Sequence, residues 1–236
     1  MFKSLVFSAL GVALVAGLVL TAMQNWQVTP IILAAEVYEI PDVAVATDGH
    51  AHDHGAESWG PEDGFERAAY TTLSNVLAAF GFGLILIAAM KWASTHHNLK
   101  INIRTGIAAG VAGYLTFFFI PSLGLPPEIP GMEAAVLEGR QSWWLVSVVT
   151  SLAGFYVLFF MSGFNRVYAV LLFALPWIIG APQPEVHGFS HPDAAALEAL
   201  QHLASQFITA THVTNSVFWL VLGGLTALVL KRSSHE

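Results

Sequence analysis

Cysteine is absent from this 236-residue chain, which excludes a disulfide framework, a thiolate zinc site and cysteine-based catalysis. Charge is scarce as well. Only 11% of residues are Asp, Glu, Lys or Arg, against about a quarter in a soluble domain. The few basic residues form no cluster interleaved with aromatics, which argues against nucleic acid as a partner. No G-x-x-x-x-G-K-[ST] segment occurs, so the chain hydrolyses no nucleotide by that route. The H-E-x-x-H array of a zinc hydrolase is missing, and only His212 falls inside an apolar span, where a bis-histidine haem needs two facing histidines. What is abundant is apolar surface: 55% of residues are hydrophobic and the mean hydropathy is +0.62. This composition predicts an all-α integral membrane protein.

Residues 4–23 are apolar without interruption and follow Lys3. Twenty residues suffice to span a bilayer, whereas a secretory signal has an apolar core of about 7–15. The expectation is an uncleaved first helix, with cleavage near Ala22 or Ala35 as the alternative. Thr29-Pro30 then reads as an N-cap followed by a first-turn proline, opening a short interfacial helix that Pro41 ends. Asp63 with Glu66 resembles a capping box at the start of a second span over about 64–92. A third span over about 104–120 stops at Pro121, and a proline-rich loop follows. Trp143-Trp144 open a fourth span at an aromatic belt, a turn at Asn165-Arg166 leads to a fifth, and the last helix runs from about Asp193 to 230.

These six spans form one polytopic membrane domain, with residues 24–63 as a long outer loop. With the N-terminus in the cytoplasm, Lys3, Lys91, Lys100, Arg104, Arg166, Lys231 and Arg232 fall inside, and only Arg67 and Arg140 fall outside. That asymmetry follows the positive-inside rule and puts both termini in the cytoplasm. Every Asp and Glu except Glu236 then faces outward, where the negative charge raises the local cation concentration.

The outer loop carries Asp48-Gly49-His50-Ala51-His52-Asp53-His54. In extended backbone, alternate residues share one side, so His50, His52 and His54 could converge on one ion while Asp48 and Asp53 add oxygen. Imidazole with carboxylate suits Co, Ni, Zn or Cu(II). The alternative is a polar loop that binds divalent ions weakly.

In the last helix Glu198, His202, Ser205, Thr209, His212 and Ser216 are spaced 4, 3, 4, 3 and 4 apart. At about 100° per residue all six stay within roughly 40° of one line. With the apolar part starting near Gln206, His212 lies about 9 Å inside it at about 1.5 Å per residue. An ionisable residue at that depth marks a pathway or is held neutral by a neighbouring helix. Thr71, Thr72, Ser74 and Asn75 lie at similar depth in the second span and are expected to face His212 across an ion path. His96 and His97 read as a solvated pair in a basic loop. His187 and His191 read either as a second docking point or as solvated side chains.

The segments PIILAAEVYE, HAHDH with EDGFERAAYTTLSNVLAAFGFGLIL, FIPSLGLPPEIPGMEAAVLEGRQSWWLVSVVTSLAG and ALPWIIGAP together resemble the CbtA family of predicted cobalt transporter subunits, over nearly the whole chain. The resemblance implies a multi-pass protein of the bacterial cytoplasmic membrane that takes up cobalt for cobalamin synthesis. It also implies a small single-span CbtB-like partner carrying its own histidines, and metal positions at His50, His52 and His54. The family is described with about five spans against the six counted here, and the counts can differ at Asn165-Arg166. On the residues alone three readings stand: a divalent-metal permease subunit, with Co, Ni or Zn as cargo and Glu198, His202 and His212 as stations; a membrane metal-binding or sensing module; and an integral-membrane enzyme. Assembly as a homo-oligomer stays open beside them.

Overall fold

Long apolar runs with internally satisfied backbone leave helices as the natural solution in a bilayer, and the computed structural model shows helices and no strand among its described residues. It describes residues 2–38, 61–185 and 187–233. Among these, five helices are long and apolar enough to cross a membrane: Val6–Glu36, Phe65–His97, Ile103–Ser122, Leu137–Phe160 and Ala194–Arg232. The expected fifth span is shorter, Gly163–Ile179, and comprises a 3-10 turn, Gly163–Arg166, followed by α7, Val167–Ile179. It is nevertheless paired along α6, Leu137–Phe160. Trp143 Nε1 near the start of α6 donates to the Pro176 carbonyl near the end of α7 at 3.1 Å, and Phe155 meets Phe173. The hairpin therefore returns the chain to the end where α6 began.

The first span departs from expectation. α1, Phe2–Met23, passes through a π-helical turn, Gln24–Val28, directly into α2, Thr29–Glu36. Thr29 is not a cap: it keeps helical dihedrals (φ −57°, ψ −43°). A proline ring collides with the carbonyl four residues before it, and the wide π turn relieves that collision before Pro30. The same device recurs in the third span, where α4, Ile103–Tyr114, widens into a π turn, Leu115–Phe119, ahead of α5, Ile120–Ser122, which contains Pro121. The expected capping box of α3, Phe65–His97, is also absent. Gly64 (φ 91°) precedes the helix, Glu66 accepts from the Glu62 N–H instead, and Asp63 pairs with Arg67. Trp143 is buried beneath α7 rather than in an aromatic belt, while Trp144 is exposed.

Depth is set by side-chain contacts between antiparallel and parallel neighbours. Ala9 of α1, Ile87 and Met90 of α3, and Ala227 and Leu230 of α8, Ala194–Ser233, form one cluster. Val28 and Ala35 meet Ile129, Leu200, Ala204 and Phe207 in another at the opposite end. The first end carries Lys91, Lys100, Arg104, Arg166, Lys231 and Arg232, and the second carries Glu36, Glu128 and Glu198. Both arginines at the acidic end are paired with carboxylates, Arg67 with Glu36 and Asp63, and Arg140 with Glu128. Between the ends α4 and α8 cross with backbones nearly touching: a Cβ on Gly223 would lie 2.8 Å from Gly110 Cα. Small residues permit that approach, as in membrane helix pairs generally, and it sets the position of Tyr114 at the end of α4.

Candidate functional site around His212

α8 has forty residues, about 60 Å at 1.5 Å per residue, twice a bilayer's hydrocarbon core of about 30 Å. With its apolar part starting near Gln206, the residues before that point, Glu198, His202 and Ser205 among them, extend beyond the apolar layer at the acidic end. Ala196, Leu200, Ala204, Phe207 and Ala210 are buried against the chain's other helices. Glu198, His202, Ser205 and Thr209 lie on the opposite side and are exposed. The polar stripe exists, and over its first four members it faces away from the rest of this chain.

The stripe turns inward at His212, which is half-buried and held by both ring nitrogens. The Tyr114 hydroxyl lies 2.9 Å from Nδ1, and the Ser122 hydroxyl lies 3.4 Å from Nε2. Ser122 commits its proton to the Phe119 carbonyl at 2.8 Å, so toward His212 it only accepts. That partner set assigns the ring proton to Nε2 and leaves Nδ1 accepting from Tyr114. Phe118 and Phe119 stand edge-on to the imidazole at 5.0 and 5.8 Å, completing an aromatic collar.

The π turn is what lets two residues eight apart flank one ring. Eight α-helical steps leave Tyr114 and Ser122 about 80° out of phase. One residue inserted by the π turn reduces the effective spacing to seven, within about 20° of two full turns. Sequence reasoning missed both partners, which lie 98 and 90 residues from His212. A proline four to seven residues after an aromatic in an apolar run, as in Tyr114 to Pro121, is the only local trace of the device.

The expected polar partner on α3 is not there. Phe82 touches Trp219, so Asn75 and His212, each seven residues earlier on parallel helices, do share a depth. Asn75, however, turns to α1 and donates to Thr21 Oγ1 at 3.0 Å and Gln24 Oε1 at 2.7 Å. Ser74 is exposed and Thr72 bonds its own backbone. The α3 patch is thus a tie between helices and not a wall of a path to His212.

The remaining histidines divide by surroundings. His96 and His97 are exposed, yet His97 packs on Phe160 at 4.2 Å, which ties the end of α3 to α6, and His96 stacks on Trp92 within α3. His191 accepts from the Asp193 N–H at 3.1 Å within the turn before α8, and His187 is exposed. Asp48, His50, His52, Asp53 and His54 lie outside the described residues. Among the described residues no three His, Asp or Glu side chains come together to hold an ion.

The described residues form a helical membrane bundle with one half-buried histidine supported at both ring nitrogens. The model of the probable cobalt transporter subunit family, CbtA, matches residues 2–231, and the chain belongs to that family. Membership supports a membrane transport role, with cobalt as the family's cargo, and marks the chain as one component of an assembly. No curated protein and no solved structure matches it.

Proposed function

We propose that this chain is the permease component for divalent transition-metal uptake, carrying cobalt for cobalamin synthesis across the bacterial cytoplasmic membrane with both termini in the cytoplasm. The observation that carries the reading is His212, an imidazole inside a spanning helix whose two nitrogens are each supported by a hydroxyl. In this reading Asp48, His50, His52, Asp53 and His54 capture a partly hydrated ion outside. Glu198 and His202, exposed at the same end, are further outer stations, and His212 is the station within the span. To bind through Nε2, His212 moves its proton to Nδ1, and Tyr114 changes from donor to acceptor; Tyr114 is then the positioning residue that fixes the ring, as outer partners of ligating histidines do. Single-ligand stations suit an ion that must leave as readily as it arrives. An inward-negative potential favours cation passage by about 2.3 kcal/mol per charge per 100 mV.

The exposed polar face of Glu198, His202, Ser205 and Thr209, turned away from the rest of the chain, is the proposed surface for a partner. A single-span CbtB-like protein is the proposed cover, and a second copy of this chain the alternative. The test is cobalt accumulation in cells expressing the chain with its partner, beside His212→Ala at equal membrane abundance, with nickel and zinc in parallel. Raised cobalt uptake that His212→Ala abolishes is the expected result. Unchanged uptake for every ion overturns the permease and leaves a binding or sensing module.

A further inference from the structure

At the acidic end an open groove of about 650 Å³ lies between the 117–128 segment and the start of α6. Phe118, Ser122, Glu128, Arg140, Gln141 and Trp144 contribute to its walls. Arg140 Nη2 donates to Glu128 Oε2 at 2.7 Å, with the two side chains 31% and 23% exposed. Ser122, in the same groove, is the hydroxyl 3.4 Å from His212 Nε2. The groove, otherwise lined mostly by apolar side chains such as Pro121, Leu125 and Leu137, therefore holds both the paired Glu128 carboxylate and the hydroxyl that neighbours the half-buried imidazole.

Both members of the pair are anchored. Ile129, next to Glu128, is buried in the cluster that includes Val28 and Leu200, and Arg140 sits in the first turn of α6. Among the described residues Arg67 makes the other ion pairs at this end, bridging Glu36 of α2 and Asp63 before α3. Its role is to tie two helices.

We infer, building on the permease reading, that this groove is the cation's vestibule and that the Arg140–Glu128 pair is its valence filter. A monovalent ion that replaces Arg140 at Glu128 exchanges one unit charge for another and forfeits a charge-assisted hydrogen bond. A divalent ion at the same distance doubles the Coulomb attraction, and partial burial keeps that difference from being screened away. The pair thus stays closed to sodium and potassium and opens to a divalent ion. The ion takes the Glu128 carboxylate, sheds part of its water shell beside Ser122 and Gln141, and moves on to His212. Arg140, released, turns to the water at the mouth.

The experiment compares cobalt and sodium influx into proteoliposomes holding the full chain with its partner, as wild type, Glu128→Gln, Arg140→Gln and the double variant. Glu128→Gln is expected to lower cobalt influx at least tenfold. Arg140→Gln is expected to lower the cobalt-to-sodium influx ratio at least tenfold. The double variant separates a filter from a structural tie. A tie predicts recovery to wild type once neither charge is left unpaired, whereas a filter predicts that cobalt influx stays low. Recovery in the double variant, or wild-type cobalt influx in Glu128→Gln, overturns the inference while leaving His212 and the permease standing. Wild-type liposomes that carry no divalent ion overturn both.

Discussion

Replacing Gly223 with alanine should force α4 and α8 apart. The new Cβ would sit 2.8 Å from both Cα and N of Gly110 and would press on the Gly106 carbonyl oxygen. Ordinary carbon contacts lie near 3.5–4.0 Å, so the helices must separate by about 1 Å. A gap of that size forfeits a quarter to a half of each contact well of about 0.1–0.2 kcal/mol, which over a few tens of atom pairs gives roughly 1–3 kcal/mol. Overpacking measured in protein cores costs the same roughly 1–3 kcal/mol. For a chain of this length the unfolding temperature should fall by roughly 2–12 °C. The assay is thermal unfolding in detergent micelles followed by tryptophan fluorescence, to which Trp219 in the crossing contributes. Gly81→Ala is the control, because a Cβ there meets nothing within 4 Å and alanine is the better helix former. The reasoning is refuted if Gly223→Ala unfolds at or above the wild-type temperature. The same displacement should pull Tyr114, one turn beyond Gly110, away from His212.

Thr226 has a buried hydroxyl that finds no hydrogen-bond partner among the described residues. Thr226→Val keeps the shape and removes the unmet group, so it should raise the unfolding temperature, by an amount set by about 1–3 kcal/mol; a lower temperature would show a partner that binds only in the assembly. Asn75→Leu removes both donations to α1 and should lower stability by about 1–2 kcal/mol, at roughly 0.6 and at most about 1.7 per membrane hydrogen bond. The variant should still take up cobalt at equal abundance, because Asn75 does not meet His212; loss of uptake with an intact fold would restore α3 to the path. Tyr114→Phe should weaken metal binding at His212 by about 10- to 100-fold, the usual effect of losing an outer partner, as read by cobalt titration of the assembled protein.

Hydrophobic run length made the spans legible, because burying backbone in lipid leaves helices as nearly the only solution. Lys91, Lys100, Arg104, Arg166, Lys231 and Arg232 lie at one end of the bundle because they sit at helix ends and turns that the run lengths already mark. Spacing along a single helix was equally reliable: Glu198 to Ser216 do lie on one line, because helical phase is a local property. Thr29-Pro30 misled because a lone proline signals either a helix start or a π turn within a helix, and only the continuing hydrogen bonds tell these apart.

The sequence by itself determined that the chain is helical, lies in a membrane, carries a polar line into its apolar part and resembles a component of a metal transporter. Which way that line faces was decided by packing. A helix's phase says which residues share a side, but the side that is buried depends on what the neighbouring helices bring to it. The upper stripe thus points away from the chain. Asn75, at the right depth, is claimed by α1, and His212 is met by Tyr114 and Ser122 from a span whose register a π turn shifts by one residue. Contacts across 90 or more residues of chain leave no periodicity in the sequence, because they arise only when close-packed glycines bring α4 onto α8 and the proline-rich segment folds back beside them.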